Sequence, residues 1–420
     1  MRQYVITPPA ELNALINLPA SKSISNRALT IHALSGGTVL PDNLSDCDDT
    51  DVMIKALQNM PDVIDIKAAG TAMRFTTAYL SVTEGTHVIT GTERMRQRPI
   101  GVLVGALRFL GADIEYEGEQ GFPPLRITGR QLEGGRIEIR GDISSQYISA
   151  LLMIGPSLRQ GLELRLTGNI ISRPYIDLTL CTMRDFGAKA EWVGSDTIRI
   201  HPQPYVPTYY FIENDWSAAS YWYEMVALSH DANAEVKLSG LMDGSLQGDS
   251  VVKYLFSMLG VKTVFDSRER GVPTTVTLRK TGVRPARLDY DFINQPDMAQ
   301  TFVVCCAMLG IPFHFKGLAT LKIKETDRIE ALKTEMRKLG FVIRDVDGRE
   351  LIWDGERCEP QPDAAIDTYE DHRMAMAFAP ASLLIPGLRI NNPHVVSKSY
   401  PHFWNDLQMA GFEVLENEMA

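Results

Sequence analysis

The sequence predicts an α/β fold assembled from repeated units of helix and β-hairpin. A predicted helix ends in a glycine followed by a strand pattern at five places, Gly111, Gly187, Gly260, Gly340 and Gly411. The interval of roughly 75 residues is too long for a solenoid and typical of a copied βα-rich subdomain. After four of these glycines a strand, a short turn and a second strand follow, as in Phe341 to Val346, Asp347-Gly348 and Leu351 to Trp353. We expect six such subdomains, three in each of two domains.

Polar residues and a cation recur where the predicted helices begin. Such starts leave N–H and O–H donors free, and the positive end of the helix dipole favours anions. The stretches with this pattern are Ser21 to Arg27, Ala69 to Arg74, Gly141 to Gln146 and Ser172 to Tyr175. Cations at helix starts along the whole chain are Lys22, Arg27, Arg74, Arg98, Lys324, Arg328, Arg373 and Lys398. In an acidic protein this distribution predicts a cleft that holds more than one anionic group.

The stretch Lys324-Glu325-Thr326-Asp327-Arg328 concentrates two cations and two carboxylates at one helix start. It follows a strand-like run, Ala319 to Ile323, and precedes an amphipathic helix that Gly340 ends. Asp327 with Glu330 resembles a capping box, so the helix is expected to start at Thr326 or Asp327. Ligands of α/β folds bind at such junctions. A capped helix with a surface ion-pair cluster is the alternative interpretation.

For three other stretches, a purely structural role is an alternative to ligand binding. In the first, Ser23 or Ser25 would be only a helix N-cap. The arginines before Pro99, which are Arg94, Arg96 and Arg98, either face solvent or point one set at a ligand. The acidic cluster Asp46, Asp48, Asp49 and Asp51 lacks the later glutamate of a calcium loop, so we interpret it as the first turn of a helix rather than a metal site.

Two residues of the second half have the same ambiguity. Asp297 either caps the helix Met298 to Leu309 or belongs to the site. His372, between Asp371 and Arg373, is interpreted as a packing or capping residue before a general base, since no nucleophile lies nearby in the sequence.

Composition limits the class of protein. The chain has 420 residues, 45% of them apolar, and a formal charge of -10, so neither nucleic acid nor an anionic membrane is an expected partner. Five cysteines without CxxC spacing favour a reduced compartment. The start lacks a secretion signal, and the longest apolar run, Phe302 to Phe315, is too short to span a membrane. We therefore expect a soluble cytoplasmic protein.

The residue types that accompany the cations narrow the chemistry. Carboxylates recur beside them, at Asp297, Glu325, Asp327 and Asp371. This mixture suits binding of phosphate and carboxylate groups together with acid–base catalysis. Motifs of the GxxxxGK[ST], GxGxxG, HExxH and GxSxG types are absent. A phosphate transferase or a lyase of small anions is therefore favoured.

Taken together, these stretches resemble the 5-enolpyruvylshikimate-3-phosphate synthase family. The resemblance runs from Ser21-Lys22-Ser23 to Lys398-Ser399-Tyr400-Pro401, through Gly70 to Arg74, Arg94 to Pro99, Ser144-Ser145-Gln146, Lys324 to Arg328 and Asp371-His372-Arg373. Each piece is weak alone, but their order and separations are specific.

The resemblance implies two inside-out, barrel-like α/β domains, each of three βαβαββ subdomains and joined by two hinge crossovers. One domain would be residues 20–214, the substrate domain on the shikimate 3-phosphate side. The other would be residues 1–19 with 215–420, and the active site would lie in the interdomain cleft. The family favours a monomer.

The resemblance also implies a reaction and its ligands. The enolpyruvyl group of phosphoenolpyruvate would move to the 5-hydroxyl of shikimate 3-phosphate, releasing phosphate without a metal or organic cofactor. Residues implied for shikimate 3-phosphate are Ser23, Arg27, Ser144, Ser145, Gln146, Ser172, Tyr175, Asp297 and Lys324. Residues implied for phosphoenolpyruvate are Lys22, Gly70, Arg98, Gln146, Arg328, Arg373 and Lys398.

Three of these residues would be catalytic. We expect Asp297 to act as base for the attacking hydroxyl and Glu325 to protonate the methylene carbon of phosphoenolpyruvate. Lys22 would assist proton transfer to and from the phosphate.

The chain departs from the family pattern at four positions. It has Ala68 and Thr320 where asparagine is common, Glu370 for the asparagine of Tyr-Asn-Asp-His-Arg, and Phe75 where proline is common. The first three bear on hydrogen bonds around the site, and Phe75 bears on the phosphoenolpyruvate pocket and on sensitivity to glyphosate.

Two alternatives remain. An enolpyruvyl transferase acting on UDP-N-acetylglucosamine usually carries a reactive cysteine, which the region Arg94 to Arg98 lacks. A non-catalytic anion-binding protein of the same fold would have lost Lys22, Asp297 or Glu325, all of which are present.

Overall fold

The computed structural model describes residues 2–418 and divides into two compact units. The continuous unit is Ala20–Ile212, and the discontinuous unit combines the residues up to Pro19 with those from Glu213 onward. The chain therefore passes twice between them. Each unit has its own hydrophobic core, so neither depends on the other for a buried interior.

The chain alternates strands and helices throughout. It begins in the discontinuous unit with β1 (Arg2–Thr7) and β2 (Asn13–Asn17). The continuous unit contains α1 (Lys22–Leu34), α2 (Asp48–Asn59), β3 (Val63–Asp65), α3 (Gly70–Val82), β4 (Gly85–Thr90), α4 (Glu93–Arg96), α5 (Gly101–Phe109), β5 (Asp113–Tyr116), β6 (Leu125–Gly129), β7 (Gly135–Arg140), α6 (Ser145–Ile154), β8 (Leu162–Thr167), α7 (Arg173–Asp185), β9 (Ala190–Trp192) and β10 (Thr197–Ile200).

The discontinuous unit then resumes and continues to the last described strand. Its elements are α8 (Trp216–Leu228), β11 (Glu235–Leu241), α9 (Val252–Met258), β12 (Val261–Phe265), β13 (Thr274–Lys280), β14 (Leu288–Asp291), α10 (Ala299–Leu309), β15 (Phe313–Lys316), α11 (Arg328–Lys338), β16 (Arg344–Val346), β17 (Glu350–Trp353), β18 (Ala365–Ile366), α12 (His372–Phe378), β19 (Leu388–Asn391), α13 (Phe403–Met409) and β20 (Glu413–Glu418). Short 3-10 helices at Pro296–Met298, Ala319–Ile323, Ala379–Leu383 and Pro393–Lys398 lead into or extend these helices.

One sheet topology recurs five times among these strands. The orders are β3-β4-β6-β5, β7-β8-β10-β9, β2-β11-β13-β12, β14-β15-β17-β16 and β18-β19-β1-β20. In each sheet the first two strands are parallel and the last two pairings are antiparallel, as a βαβαββ unit requires. The predicted α/β fold and its repeat are confirmed. The sheets are open and four-stranded, and no closed barrel forms among residues 2–418.

The last sheet is completed by the first strand of the chain. β1 pairs antiparallel with both β19 and β20, for example Tyr4 with Ile390 and Glu416. β2 pairs parallel with β11 in another sheet. These two N-terminal strands explain why the discontinuous unit needs both ends of the chain.

The sixth expected subdomain lacks a sheet of its own. Helices α1 and α2 are present, but the segment between them contributes one isolated bridge, Asp42 with Phe211. Gly36, Gly37 and Pro41 confine this segment, and Val39 is 79% exposed. Because proline cannot donate to a ladder and glycine weakens a strand, a four-stranded sheet does not form here.

The glycines that predicted the repeat end their helices for a backbone reason. Gly111, Gly187, Gly260, Gly340 and Gly411 all have positive φ, between 85° and 105°. This conformation is accessible to glycine without the penalty that a Cβ imposes. The helix ends predicted at these positions are confirmed.

The strand predicted at Ala319 to Ile323 is wrong, because this segment is a 3-10 helix. Leu318 and Leu321 are both fully buried whereas Ile323 is 56% exposed. Burial three residues apart fits a helix of three residues per turn, not a strand with period two. The helix start is close to the prediction: Asp327 is the N-cap, and its carboxylate accepts from the backbone N–H of Ile329 and Glu330.

Candidate functional site

The guanidinium of Arg328 is the centre of a charged cluster in the discontinuous unit. It donates from Nη1 to Asp297 Oδ1 at 2.8 Å, from Nη2 to Glu325 Oε2 at 2.9 Å and from Nε to Asp371 Oδ2 at 2.6 Å. Only 2% of the Arg328 side chain is exposed. We call Asp297, Lys324, Glu325, Arg328 and Asp371 the Arg328 cluster. It joins three elements that are distant in sequence, the starts of α10, α11 and α12.

Asp297 is surrounded by cations. Lys324 Nζ lies 3.0 Å from its Oδ1, and the guanidinium of Arg373 donates to its backbone carbonyl oxygen at 3.2 Å. Burial alone would raise the pKa of the Asp297 carboxyl, but Lys324, Arg328 and Arg373 outweigh it and hold that pKa well below its usual range. Neither the 3-10 helix at Pro296–Met298 nor α10 has a side-chain cap, so the capping alternative for Asp297 is wrong.

Asp371 fixes two arginines at once. It is fully buried, accepts from Nε and Nη2 of Arg328, and accepts from the backbone N–H of Arg373 at 2.9 Å as the N-cap of α12. The Arg373 guanidinium also donates to Ser217 Oγ at 3.4 Å, and Ser217 in turn donates to Asp249. His372 is buried beside Asp371 at the start of the helix. The arrangement fixes how far apart Arg328 and Arg373 lie.

Lys398 lies at the end of the 3-10 helix Pro393–Lys398 and contacts the loop that precedes α12. Its Nζ donates to the carbonyl oxygen of Glu370 at 2.7 Å. Four of the predicted anion-binding cations are thus connected to one another. Lys398 and Arg373 contact Glu370 and Asp371, and Arg328 and Lys324 belong to the Arg328 cluster, which includes Asp371.

In the continuous unit, Arg27 is a buried cation whose partners are neutral. It donates to Thr179 Oγ1 at 2.7 Å, to the Ser23 carbonyl oxygen at 2.8 Å, to Ser149 Oγ at 3.2 Å and to the Tyr175 carbonyl oxygen at 3.4 Å. It is 2% exposed, and burial lowers its pKa to about 10. No described carboxylate forms an ion pair with it, so its positive charge is uncompensated.

Three further cations of this unit lie at or beside helix starts. Lys22, the first residue of α1, forms a 3.0 Å ion pair with Asp49, in the first turn of α2. Gly70 begins α3, and a Cβ at this position would lie 2.6 Å from Nη1 of Arg74 and 2.7 Å from Nη1 of Arg98. A side chain at this helix start would displace one or both guanidinium groups from their present positions.

The predicted polar residues occupy the starts of α6 and α7. Ser144 is the N-cap of α6 and accepts from the backbone N–H of Gln146, and Gln146 donates to Thr71 Oγ1 at 3.0 Å. Ser145 is the first residue of that helix. Ser172 precedes α7 with φ of 53°, and Tyr175 lies in the first turn of α7. Ser21, not Ser23 or Ser25, caps α1.

Sequence reasoning missed the residues that hold the predicted ones. The sequence does not assign Asp49, Ser217, Thr179 or Ser149 to the site. Asp371 is predicted among the carboxylates that accompany the cations, and the structure adds its hydrogen bonds to Arg328 and its role as the N-cap of α12. The two side-chain partners of Arg27, Ser149 and Thr179, lie on α6 and α7, more than a hundred residues away in sequence, and nothing in the sequence indicates them.

Arg94 and Arg96 are exposed on the short helix α4, whereas Arg98 is buried. The stretch therefore has both a solvated face and one inward-pointing arginine.

The structure also places the four residues at which the chain departs from the family pattern. Phe75 is buried with its ring 5.5 Å from the Arg27 guanidinium, and the buried hydroxyl of Thr320 has no hydrogen-bond partner among the described residues. Glu370 lies in the left-handed region, and Ala68 precedes the N-cap of α3.

No helix within residues 2–418 is both long and apolar enough to cross a membrane. In that part of the chain, no three or more His, Cys, Asp or Glu side chains are arranged to hold a metal ion.

Comparison with known proteins assigns a family. The family model described as EPSP synthase (3-phosphoshikimate 1-carboxyvinyltransferase) matches residues 6–63 and 58–407. The chain belongs to the EPSP synthase family. A 3-phosphoshikimate 1-carboxyvinyltransferase of Bacteroides fragilis is 59% identical over 416 residues, which is 99% of this chain and 100% of that protein. One of Aliivibrio fischeri is 36% identical over 436 residues, covering 97% and 99% of the two chains.

The fold comparison agrees with this family. The solved structure of an EPSP synthase from Acinetobacter baumannii matches with a TM-score of 0.79 over 100% of both chains, at 22% identity. At that identity the likeness concerns the fold only. The resemblance inferred from the short motifs is confirmed by matches that span nearly the whole chain.

Proposed function

We propose that this chain transfers the enolpyruvyl group of phosphoenolpyruvate to the 5-hydroxyl of shikimate 3-phosphate and releases phosphate. It would thereby act in chorismate and aromatic amino-acid biosynthesis. The observation that carries the proposal is the Arg328 cluster. In a member of the EPSP synthase family, one buried guanidinium holds both candidate acid–base carboxylates, Asp297 and Glu325, within hydrogen-bond distance.

The shikimate 3-phosphate side of the proposal rests on Arg27. Burying a cation among neutral oxygens costs free energy, because the cation loses water without gaining an opposite charge. A bound anion supplies that opposite charge and stabilises the buried cation. We assign the substrate phosphate and hydroxyls to Arg27 and to residues at nearby or equivalent helix starts, namely Ser23, Ser144, Ser145, Gln146, Ser172 and Tyr175, with Lys324 and Asp297 as further contacts.

The phosphoenolpyruvate side rests on paired cations at helix starts. Arginine forks suit both its carboxylate and its phosphate, and lysine suits the charge that shifts as phosphate leaves. The residues assigned to it are Lys22, Gly70, Arg98, Gln146, Arg328, Arg373 and Lys398. Gly70 supports this assignment because its missing side chain lets the guanidinium groups of Arg74 and Arg98 approach the start of α3.

Charge neutralisation explains how Asp297 can act as a base. Its pKa is low because Lys324, Arg328 and Arg373 face it. These same cations are the proposed ligands of the substrate anions. When phosphate or carboxylate groups neutralise them, their pull on the Asp297 carboxylate weakens and its pKa rises. The base is therefore activated when the substrates bind.

The chemical steps follow from these assignments. Asp297 accepts the proton of the 5-hydroxyl while the oxygen of that hydroxyl bonds to C2 of phosphoenolpyruvate. Glu325 donates a proton to the C3 methylene. The product of addition is a tetrahedral intermediate that still carries the phosphate. Glu325, now a carboxylate, takes a proton back from the new methyl group as the C2–O bond to phosphate breaks. Lys22 assists proton transfer to the departing phosphate, which receives the proton that Asp297 took from the hydroxyl.

Phosphate release tests the function directly. We expect release on mixing the protein with phosphoenolpyruvate and shikimate 3-phosphate, and none with UDP-N-acetylglucosamine as acceptor. Asp297→Asn and Glu325→Gln should each reduce kcat by at least about 100-fold, as loss of a general acid or base does. Glu330→Gln is a matched control, since this carboxylate lies on the same helix but is exposed and paired with Lys333. Normal turnover of both variants with normal substrate binding would show the catalytic assignments to be wrong.

The two alternative functions are outcomes of the same assay. Release with UDP-N-acetylglucosamine would favour the other enolpyruvyl transfer. Binding of both anions without release would favour a non-catalytic protein. A cytoplasmic location and a monomeric state remain predictions from composition and resemblance, and sedimentation of the purified protein tests the second.

A further inference from the structure

A turn with unusual backbone geometry lies between β18 and α12. Tyr369 and Glu370 both have positive φ, 52° and 57°. Two consecutive residues other than glycine in this region are unfavourable, since the left-handed conformation suits mainly glycine, asparagine and aspartate. Such a turn persists only where surrounding contacts enforce it.

The contacts that enforce it come from one buried carboxylate on α11. Glu335 is fully buried and accepts from the Tyr369 hydroxyl at 2.6 Å and from the backbone N–H of Asp367 at 3.1 Å. Lys338, one turn later, pairs with Glu335 at 2.7 Å and with Asp367 at 2.8 Å. The turn is therefore held at its start by Asp367 and at its middle by Tyr369.

The turn presents a carbonyl group to a cation. The backbone oxygen of Glu370 accepts from Lys398 Nζ at 2.7 Å, and the next residue, Asp371, binds Arg328 and caps α12. A change in the conformation of Glu370 would redirect this carbonyl and release the ammonium group. The strain in the turn thus has a definite result, a fixed position for the Lys398 side chain.

We infer that Glu335 and Tyr369 are positioning residues that hold the Lys398 ammonium group in place for phosphoenolpyruvate through the Glu370 carbonyl. The inference rests on the proposed function, in which Lys398 binds that substrate. Neither Glu335 nor Tyr369 touches the substrate in this scheme. They act through the backbone of the turn.

The test is a double-mutant cycle. Tyr369→Phe removes one hydroxyl and keeps the ring. We expect the KM for phosphoenolpyruvate to rise about fivefold, the scale of the net contribution of one ordinary hydrogen bond, while kcat changes less than twofold. In a Lys398→Met background the same substitution should change KM by less than about 1.5-fold, because the residue it positions is gone. Tyr254→Phe, an exposed tyrosine of the same unit, is the control that should change nothing.

A second pair of variants separates positioning from general loss of stability. Glu335→Gln keeps an acceptor for Tyr369 and should raise the KM less than Glu335→Ala, with circular dichroism confirming that each variant is folded. An equal rise of KM on Tyr369→Phe with and without Lys398 would overturn the inference, as would no rise at all.

The failure of the proposed function gives a different result. If the unaltered protein releases no phosphate with shikimate 3-phosphate, the proposed reaction is wrong. The cycle is then measured as the Kd for phosphoenolpyruvate by titration calorimetry, with the same expected fold-changes. Absence of phosphoenolpyruvate binding by the unaltered protein would overturn both proposals.

Discussion

Replacing Asp371 with asparagine should destabilise the discontinuous unit by about 3 kcal/mol, the cost of removing one partner from a buried ion pair. Asp371 is fully buried and accepts two hydrogen bonds from Arg328 and one from the backbone of Arg373. Asparagine has nearly the same shape but turns one acceptor oxygen into an N–H₂ group that faces a guanidinium donor. The loss stays near the lower end of the range because Asp297 and Glu325 still neutralise Arg328.

Urea unfolding followed by tryptophan fluorescence measures this effect in the right unit. Trp216, Trp222, Trp353 and Trp404 belong to the discontinuous unit and only Trp192 to the continuous one. With a slope of about 2 kcal/mol per molar urea, the expected fall in the midpoint is about 1.5 M.

Asp289→Asn is the matched control. Asp289 binds Arg287 at 2.7 Å in the same unit, but the two side chains are 57% and 39% exposed. Exposed pairs contribute little, so its midpoint should hardly move. A shift for Asp371→Asn as small as that of Asp289→Asn would refute the reasoning that burial gives the Arg328 cluster its strength.

Three further predictions concern single carboxylates of the same unit. Glu224 is fully buried, and burial raises the pKa of its carboxyl well above its usual range, so stability falls as pH rises above the unfolded value of about 4.3. Glu224→Gln should therefore raise Tm at pH 8 but not at pH 4.5 in calorimetric scans, and equal shifts at both values would contradict this. For Asp297 the pH dependence of stability is opposite, because its pKa is lowered in the folded state. The ionised carboxylate stabilises the fold above the unfolded value of about 3.9, and this stabilisation is lost progressively as the pH falls below it. Asp297→Asn should therefore lower Tm more at pH 7 than at pH 3. Glu370→Asn should raise Tm by about 2–4 °C, because asparagine tolerates the left-handed conformation, and an unchanged Tm would show that the turn is not strained.

The repeat could be predicted from the sequence because its signal is local. A helix that ends with positive φ favours glycine at that residue, so five glycines at similar intervals mark five equivalent helix ends. The segment Ala319–Ile323 could not be assigned correctly because five residues with alternating apolar character fit period two and period three almost equally. Only the burial of Leu318 and Leu321 decides between them.

The candidate site was predictable where its residues are polar or charged and lie at predicted helix starts. Lys324, Glu325 and Arg328 stand together in the chain, and Arg373 follows the capping residue of α12 directly. Their partners follow no such rule, because tertiary contacts place them. Asp49 shows this well: it does lie in the acidic first turn that its sequence predicts, and it also pairs with Lys22, 27 residues earlier.

The cations of the two units differ in how their charge is compensated, and under the proposed function this difference gives the two substrates different roles. In the discontinuous unit Arg328 contacts three carboxylates, so an arriving anion competes with groups that are already bound. In the proposed mechanism, binding there would exchange partners and free Asp297 to accept a proton. In the continuous unit the hydrogen-bond partners of Arg27 are all neutral oxygens, so an arriving anion would displace no bound carboxylate. An anion at Arg27 would therefore contribute mainly affinity, whereas an anion at the Arg328 cluster would change the basicity of Asp297, the proposed general base.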